Sequence, residues 1–192
     1  MTSLKSLIRF SLLAFVLLCV VPHFAKAQTK KQPKKKMAIT TTQYIKASPA
    51  EVYAILIQLE RFPEWSPFVV ADPEQKNYVS GSNGELGSTF HWEGVADKSK
   101  GYQTLAKVNP NSYVRMECTI EKPYESQPLF EYHLREIDGG TEVTQAFEVR
   151  VSGFSNFMMK LFGVKKQMKA ANALGMERLK ALVEQDAHLT SR

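Results

Sequence analysis

The chain has 192 residues, within the ~100–200 typical of one domain, and carries 25 basic and 19 acidic side chains for a formal net charge of +6. Eight of the 25 basic residues precede Met37 and no acidic residue precedes Glu51, so the rest of the chain holds 17 basic against 19 acidic groups. A nucleic-acid-binding domain carries its positive charge on the folded surface; here the charge belongs to the N-terminal segment, which argues against nucleic acid as a partner.

Lys5 and Arg9 precede an apolar run from Phe10 to Val21, interrupted only by Ser11, and Pro22 and Ala25-Lys26-Ala27 follow. A basic start, an apolar core of ~7–15 residues and a small-x-small site define a secretory signal peptide. Residues 1–27 are expected to be one, leaving Gln28 as the mature start and the domain in the periplasm or cell envelope. The run is shorter than the ~20 residues that usually span a bilayer. Leu18 stands before Cys19 where a lipoprotein site wants a small residue, which argues against lipidation. The five lysines of Thr29 to Lys36 pull the other way, because positive charge beside an apolar run stays on the cytoplasmic side. An uncleaved anchor with a cytoplasmic domain, and a true start at Met37, are therefore the alternatives. Residues 28–37 read as a lysine-rich flexible linker, 38–186 as the folded domain and 187–192 as a polar tail. With the leader removed, Cys118 is the last cysteine, so no intramolecular disulfide holds the fold.

Ala38 to Ala47 is β-rich and predicts the first strand. Ser48-Pro49-Ala50-Glu51 then starts a helix: Ser48 can cap it, Pro49 suits its first position, and Glu51 completes a capping box. That helix continues to Leu59, and Pro63 precedes a bulky turn, Glu64-Trp65-Ser66-Pro67-Phe68. Six β-rich runs follow, at 75–80, 88–96, 102–108, 112–122, 128–137 and 142–152. They are separated by turn residues that include Gly81-Ser82-Asn83-Gly84, Asn109-Pro110-Asn111 and Asp138-Gly139-Gly140, a meander signal.

Alternation gives each strand a dry side. Phe90 and Trp92 oppose His91; Val114, Met116, Cys118 and Ile120 oppose Arg115, Glu117 and Thr119. Phe130, Tyr132 and Leu134 oppose Glu131, His133 and Arg135; Val143, Gln145, Phe147 and Val149 oppose Thr144, Glu148 and Arg150. From about Phe154 to Gln185 the period changes. Phe157, Leu161, Val164, Met168, Ala171, Gly175, Leu179 and Leu182 recur at steps of three and four, the stripe of a long amphipathic helix. It is the only element long enough to cover the sheet. Its middle thins to Ala170, Ala171, Ala173 and Gly175, which either brings helix and sheet close or leaves room for a guest.

The helix start Ser48-Pro49-Ala50-Glu51-Val52-Tyr53, the turn from Phe62 to Phe68, Gly87-Ser88-Thr89-Phe90-His91-Trp92, Val108-Asn109-Pro110 and Gly140-Thr141-Glu142-Val143-Thr144 stand in an order and spacing that resemble the START-like, polyketide cyclase/dehydrase superfamily (SRPBCC). The resemblance spans Ile39 to about Glu184. It implies an α+β helix-grip fold, in which a seven-stranded antiparallel sheet wraps around a long C-terminal helix. It also implies an apolar or amphipathic ligand, lipid-like or polyketide-like, held between them. The candidate walls are Phe90, Trp92, Met116, Cys118, Phe130, Tyr132, Gln145 and Phe147 on the sheet and Phe157, Leu161 and Met168 on the helix, with Tyr132 and Gln145 orienting the guest.

Catalysis has no recognisable carrier. No nucleophile elbow, Walker loop or dinucleotide fingerprint is present, and no His/Cys/carboxylate spacing calls for a metal. Of the four histidines, His23 lies in the leader, His188 in the tail, and His91 and His133 on wet faces. Cys118 reads as a small buried hydrophobe. If the cavity performs chemistry as a cyclase, dehydratase or hydrolase, the players are Tyr132, Gln145, Cys118, and Tyr102 or Thr104 should that strand turn them inward. The expectation is thus a ligand-binding domain that needs no cofactor and no metal. Its partner is an apolar small molecule, membrane association through the N-terminal segment is kept open, and no oligomeric state is assigned. The rivals are an enzyme using the same cavity and a tightly packed interaction module without one.

Overall fold

The computed structural model describes residues 35–96, 98–151 and 163–190. Among them are seven strands: β1 (Lys35–Ile45), β2 (Lys76–Ser80), β3 (Thr89–Glu93), β4 (Lys100–Asn109), β5 (Tyr113–Lys122), β6 (Leu129–Ile137) and β7 (Gly140–Val151). They form one sheet in the order β1-β7-β6-β5-β4-β3-β2, antiparallel at every pairing. Helices α1 (Pro49–Ile57), α2 (Phe62–Trp65) and α3 (Pro67–Ala71) lie between β1 and β2, and the long α4 (Val164–Thr190) follows β7. This is the α+β helix-grip arrangement.

Local chemistry sets the elements. Ser48 Oγ accepts from the Glu51 backbone N–H at 3.3 Å, and the Glu51 carboxylate accepts from the Ser48 N–H at 2.7 Å, so the capping box forms and starts α1. Asp138 and Gly139 both take positive φ, 45° and 74°, the conformation that closes a tight hairpin between β6 and β7. Gly101 on β4 is required by a close approach: a Cβ there would lie 2.2 Å from the Thr119 carbonyl oxygen and 2.6 Å from the Trp92 ring.

Two boundaries differ from expectation. β1 begins at Lys35, so the end of the expected linker is strand, with Lys35 to Met37 paired against Val151 to Val149. The long β7 offers backbone groups up to Val151, and the chain satisfies them by extending β1; Lys36 adds an ion pair to Glu148. At the other end α4 continues to Thr190 through most of the expected tail. Just before that tail Asp186 pairs with Arg61, and within it Ala187 packs against the core.

The dry face follows the alternation except that Trp92 and Ile120 are only half-buried. Phe90, Val114, Met116, Cys118, Phe130, Tyr132, Leu134, Val143, Gln145, Phe147 and Val149 are buried. Register aligns them into rows: Gln145 opposite Tyr132 and Tyr132 opposite Val114, with Phe147, Phe130 and Met116 alongside. β4, whose facing was open, buries Gly101, Gln103 and Leu105 and turns Tyr102 and Thr104 to the other side.

What covers this face departs from the sequence reading. α4 does not do it alone: α1 touches β5, β6 and β7, while α4 packs along β1 and against α1, α2 and α3. The buried face of α4 is Asn172, Gly175, Met176, Leu179 and Val183, with Ala171 and Leu182 half-buried and Ala170 and Ala173 exposed. The helix therefore keeps Gly175 and Leu179 of the expected stripe but turns slightly, so that Asn172 and Val183 are buried in place of Ala171 and Leu182, because its neighbours on two sides are short helices rather than strands. Lys46 N–H donates to Glu184 at 2.8 Å, Lys180 Nζ to the Tyr44 carbonyl at 2.9 Å and Arg178 to the Glu64 carbonyl at 2.6 Å, which lock that rotation. Phe157 and Leu161 lie outside the described residues.

A candidate ligand site between sheet and helix

The site begins with a cross-strand pair. On the dry face of β6 and β7, Gln145 Nε2 donates to the Tyr132 hydroxyl oxygen at 3.0 Å, and both side chains are buried. Burial holds the Tyr132 phenol well above its ordinary pKa, with the Gln145 bond opposing weakly, so it stays protonated at neutral pH. Beside them on β4, Gln103 Nε2 donates to the Met116 sulfur at 2.9 Å, a weak acceptor for an amide.

The opposite wall comes from the turn after α1. Pro63 in the first turn of α2 and Pro67 at the start of α3 fix two tight helical turns, and Ser66 caps the second by accepting from Phe68 N–H at 3.3 Å. This folds Trp65 inward. Its ring stands edge-on to Tyr132 at 6.2 Å between centroids, and Phe62 stands edge-on to both Trp65 and Phe90 at 4.8 and 5.1 Å. α4 closes the third side. Gly175 lets Pro67 approach to within 3.1 Å of where a Cβ would be, and Asn172, nearly one turn earlier, faces the same way.

These elements enclose one pocket, lined on the sheet by Gln103, Phe130, Tyr132 and Gln145, on α2 and α3 by Phe62, Trp65, Pro67 and Phe68, and on α4 by Asn172 and Gly175. Phe68 is 42% exposed, so the pocket reaches the surface beside it. Its interior is small: about 20 Å³ is open to the centre of a water-sized sphere, and roughly 10–15 Å³ on that measure holds one water. The described part of the fold thus holds a much narrower space than the cavity expected.

The polar groups are the unusual feature. Trp65 Nε1, Gln145 Oε1 and Asn172 Nδ2 are buried and have no hydrogen-bond partner; the three side chains are 2%, 4% and 3% exposed. Buried polar atoms are paired in the large majority of cases, and each unpaired one costs about 1–3 kcal/mol. Unpartnered buried atoms also occur on Thr41, Ser88, Arg115 and Arg178, but these three belong to side chains from three elements that line one pocket.

Of the residues predicted from sequence, Phe130, Tyr132 and Gln145 line this pocket. Phe90, Met116, Cys118 and Phe147 are buried in the adjoining core and Met168 packs half-buried against it. Trp92, also half-buried, lies across Gly101 and lines a separate groove. Burial pushes the Cys118 thiol up to about 12, which leaves it a weak nucleophile. Tyr102 and Thr104 face away: Tyr102 packs beside His91, and Thr104 bonds Thr89 at 3.0 Å. Trp65, Gln103 and Asn172 were missed. Trp65 sat in what read as a turn. Asn172 falls midway between Met168 and Met176 at steps of four, a signal hidden by its polarity.

No curated protein matches the sequence significantly. Solved structures share the fold: a protein of unknown function, SA2116, from Staphylococcus aureus (14% identity, 81% of this chain and 98% of that one, TM-score 0.63), truncated norcoclaurine synthase from Thalictrum flavum (12%, 81% and 98%, TM-score 0.60), and protein CV1439 from Chromobacterium violaceum (12%, 77% and 97%, TM-score 0.56). The sequence profile of the family described as polyketide cyclase / dehydrase and lipid transport matches residues 36–184, which takes in all seven described strands except Lys35 and most of α4, and the chain belongs to that family.

Proposed function

We propose that this domain binds an apolar or amphipathic small molecule in the pocket between its sheet and α4. The observation that carries the reading is that three side chains lining one pocket, Trp65, Gln145 and Asn172, each keep a buried polar atom without a partner. Ligand sites are mostly apolar with a few polar groups that fix orientation. Phe62, Phe68 and Phe130 supply the apolar part here and the three polar side chains the rest. The family description, which includes lipid transport, supports the same reading. A guest larger than a water needs more space than the pocket offers, so binding is coupled to movement of α2 and α3 away from α4, where Pro67 meets Gly175. The driving force is burial of ligand surface, about 25 cal/mol per Å² of apolar area.

Binding is favoured over catalysis because the described lining contains no His, Lys, Asp or Glu, and its one titratable group, Tyr132, holds its proton. Export through residues 1–27 belongs to the same proposal, and N-terminal sequencing of the mature protein checks it: a start near Gln28 is expected, and an intact leader contradicts it.

The test of binding is organic extraction of the purified protein followed by mass spectrometry. An apolar molecule should be released. Returning it at ~100 times its Kd should stabilise the fold by ~2.7 kcal/mol, which raises Tm by roughly 5–10 °C. An extract indistinguishable from that of an unrelated protein, with no thermal shift, rules the reading out.

A further inference from the structure

We propose that the pocket receives the polar end of its guest as an uncharged oxygen, a hydroxyl or a carbonyl, held by the Trp65 indole N–H and the Asn172 amide, and that it rejects a carboxylate. The inference rests on the small-molecule reading of the same pocket and names the head group that reading leaves open.

The donors set the requirement. An indole N–H can only donate, so Trp65 needs an acceptor whatever else happens around it. Asn172 Nδ2, with its amide oriented as it is, is a second buried donor without a partner. Gln145 is indifferent to how its amide is turned: one polar atom meets the Tyr132 oxygen at 3.0 Å and the other is left over. A hydroxyl has the lone pairs to accept from two such donors and a proton to give to an amide oxygen such as the leftover one of Gln145. A carbonyl can accept from both donors, and from Gln145 when its amide is turned the other way.

Charge sets the exclusion. None of the described residues lining the pocket is ionised at neutral pH. A carboxylate would find no cation among these described residues, and an unpaired charge is far more costly to bury than a neutral polar group. The three side chains come from α2, α4 and β7, elements that share no cap or turn to explain their unpaired atoms. The competing explanation is one fixed water, for which there is room.

The test is calorimetric titration of the unaltered, delipidated protein near neutral pH with three matched probes: dodecanol, dodecanone and dodecanoate. A flat pair, naphthol and naphthoate, covers a guest of different shape. The neutral member of each set should bind roughly tenfold or more tightly than its carboxylate, and Asn172→Leu should lose roughly tenfold in affinity for the neutral probes. Gln145→Met is the second variant should the first fold poorly. Carboxylates binding as tightly as their neutral partners would overturn this head-group assignment while leaving the pocket reading intact. Neutral probes that bind the unaltered protein and both variants equally would mean that the polar groups hold only a structural water, and would overturn it too. No binding by any probe, with nothing extracted from the purified protein, would remove the pocket reading itself.

Discussion

Asn172→Leu should stabilise the ligand-free protein while weakening its binding. Asn172 is buried on α4 with its amide nitrogen unpartnered. Replacing that donor with carbon of similar shape removes a penalty of about 1–3 kcal/mol. Leucine also suits a helix interior better than asparagine, by roughly half a kcal/mol. Against this stands crowding, about 1 kcal/mol or more when a packed site is overfilled, since the pocket has space for little more than a water. The balance is a gain of about 1–2 kcal/mol, or roughly 3–6 °C in Tm for a domain of this size. The assay is urea and thermal unfolding of delipidated protein, with Asn172→Ala beside it to separate crowding from hydrogen bonding. Loss of more than about 1 kcal/mol in both variants would mean that the amide is already satisfied without a ligand, and the reasoning from unpaired groups would be refuted.

Tyr132→Phe should act in the opposite direction, destabilising by about 1–3 kcal/mol because Gln145 then loses its partner while still buried; unchanged urea stability would show that the bond is not made. Cys118 should resist iodoacetamide in the folded protein at pH ~8 and react once unfolded, since burial pushes its thiol up to about 12; fast labelling of the native state would contradict that burial. Ser48→Ala should cost about 1 kcal/mol as a lost helix cap. The pH dependence follows from Glu51, whose pKa is lowered chiefly by its hydrogen bonds to Ser48. A carboxylate lowered in the folded state contributes stability above its unfolded pKa and loses it as pH falls through the folded value. Unfolding measured from neutral to acidic pH should therefore show Ser48→Ala losing less stability on acidification than the parent, and equal losses would speak against the capping box.

The sheet was legible because its signals are local. Strict alternation in β5, β6 and β7 names the buried side chains directly, and the capping box and the Asp138-Gly139 hairpin need only neighbouring residues. β4 defeated the same logic: Tyr102 and Thr104 look as fit for a core as Gln103 and Leu105, and only the small Gly101 beneath Trp92 decides the parity. The site was half legible. Tyr132 and Gln145 share a dry face that alternation finds, whereas Trp65 reaches the pocket through two proline-set turns whose tertiary direction no periodicity encodes. Asn172 was passed over because hydrophobic patterning has no place for a polar residue on a buried stripe, and the turn of α4 that buries it depends on packing against the short helices and is held by tethers such as Lys180 to Tyr44.

The central claim, that these polar groups wait for a guest, is tested most directly by native mass spectrometry of the parent and Asn172→Leu proteins purified side by side. The account predicts a bound small molecule on the parent that is lost or strongly reduced on the variant, with the variant still folded. Equal occupancy on both proteins, or none on the parent, would contradict it.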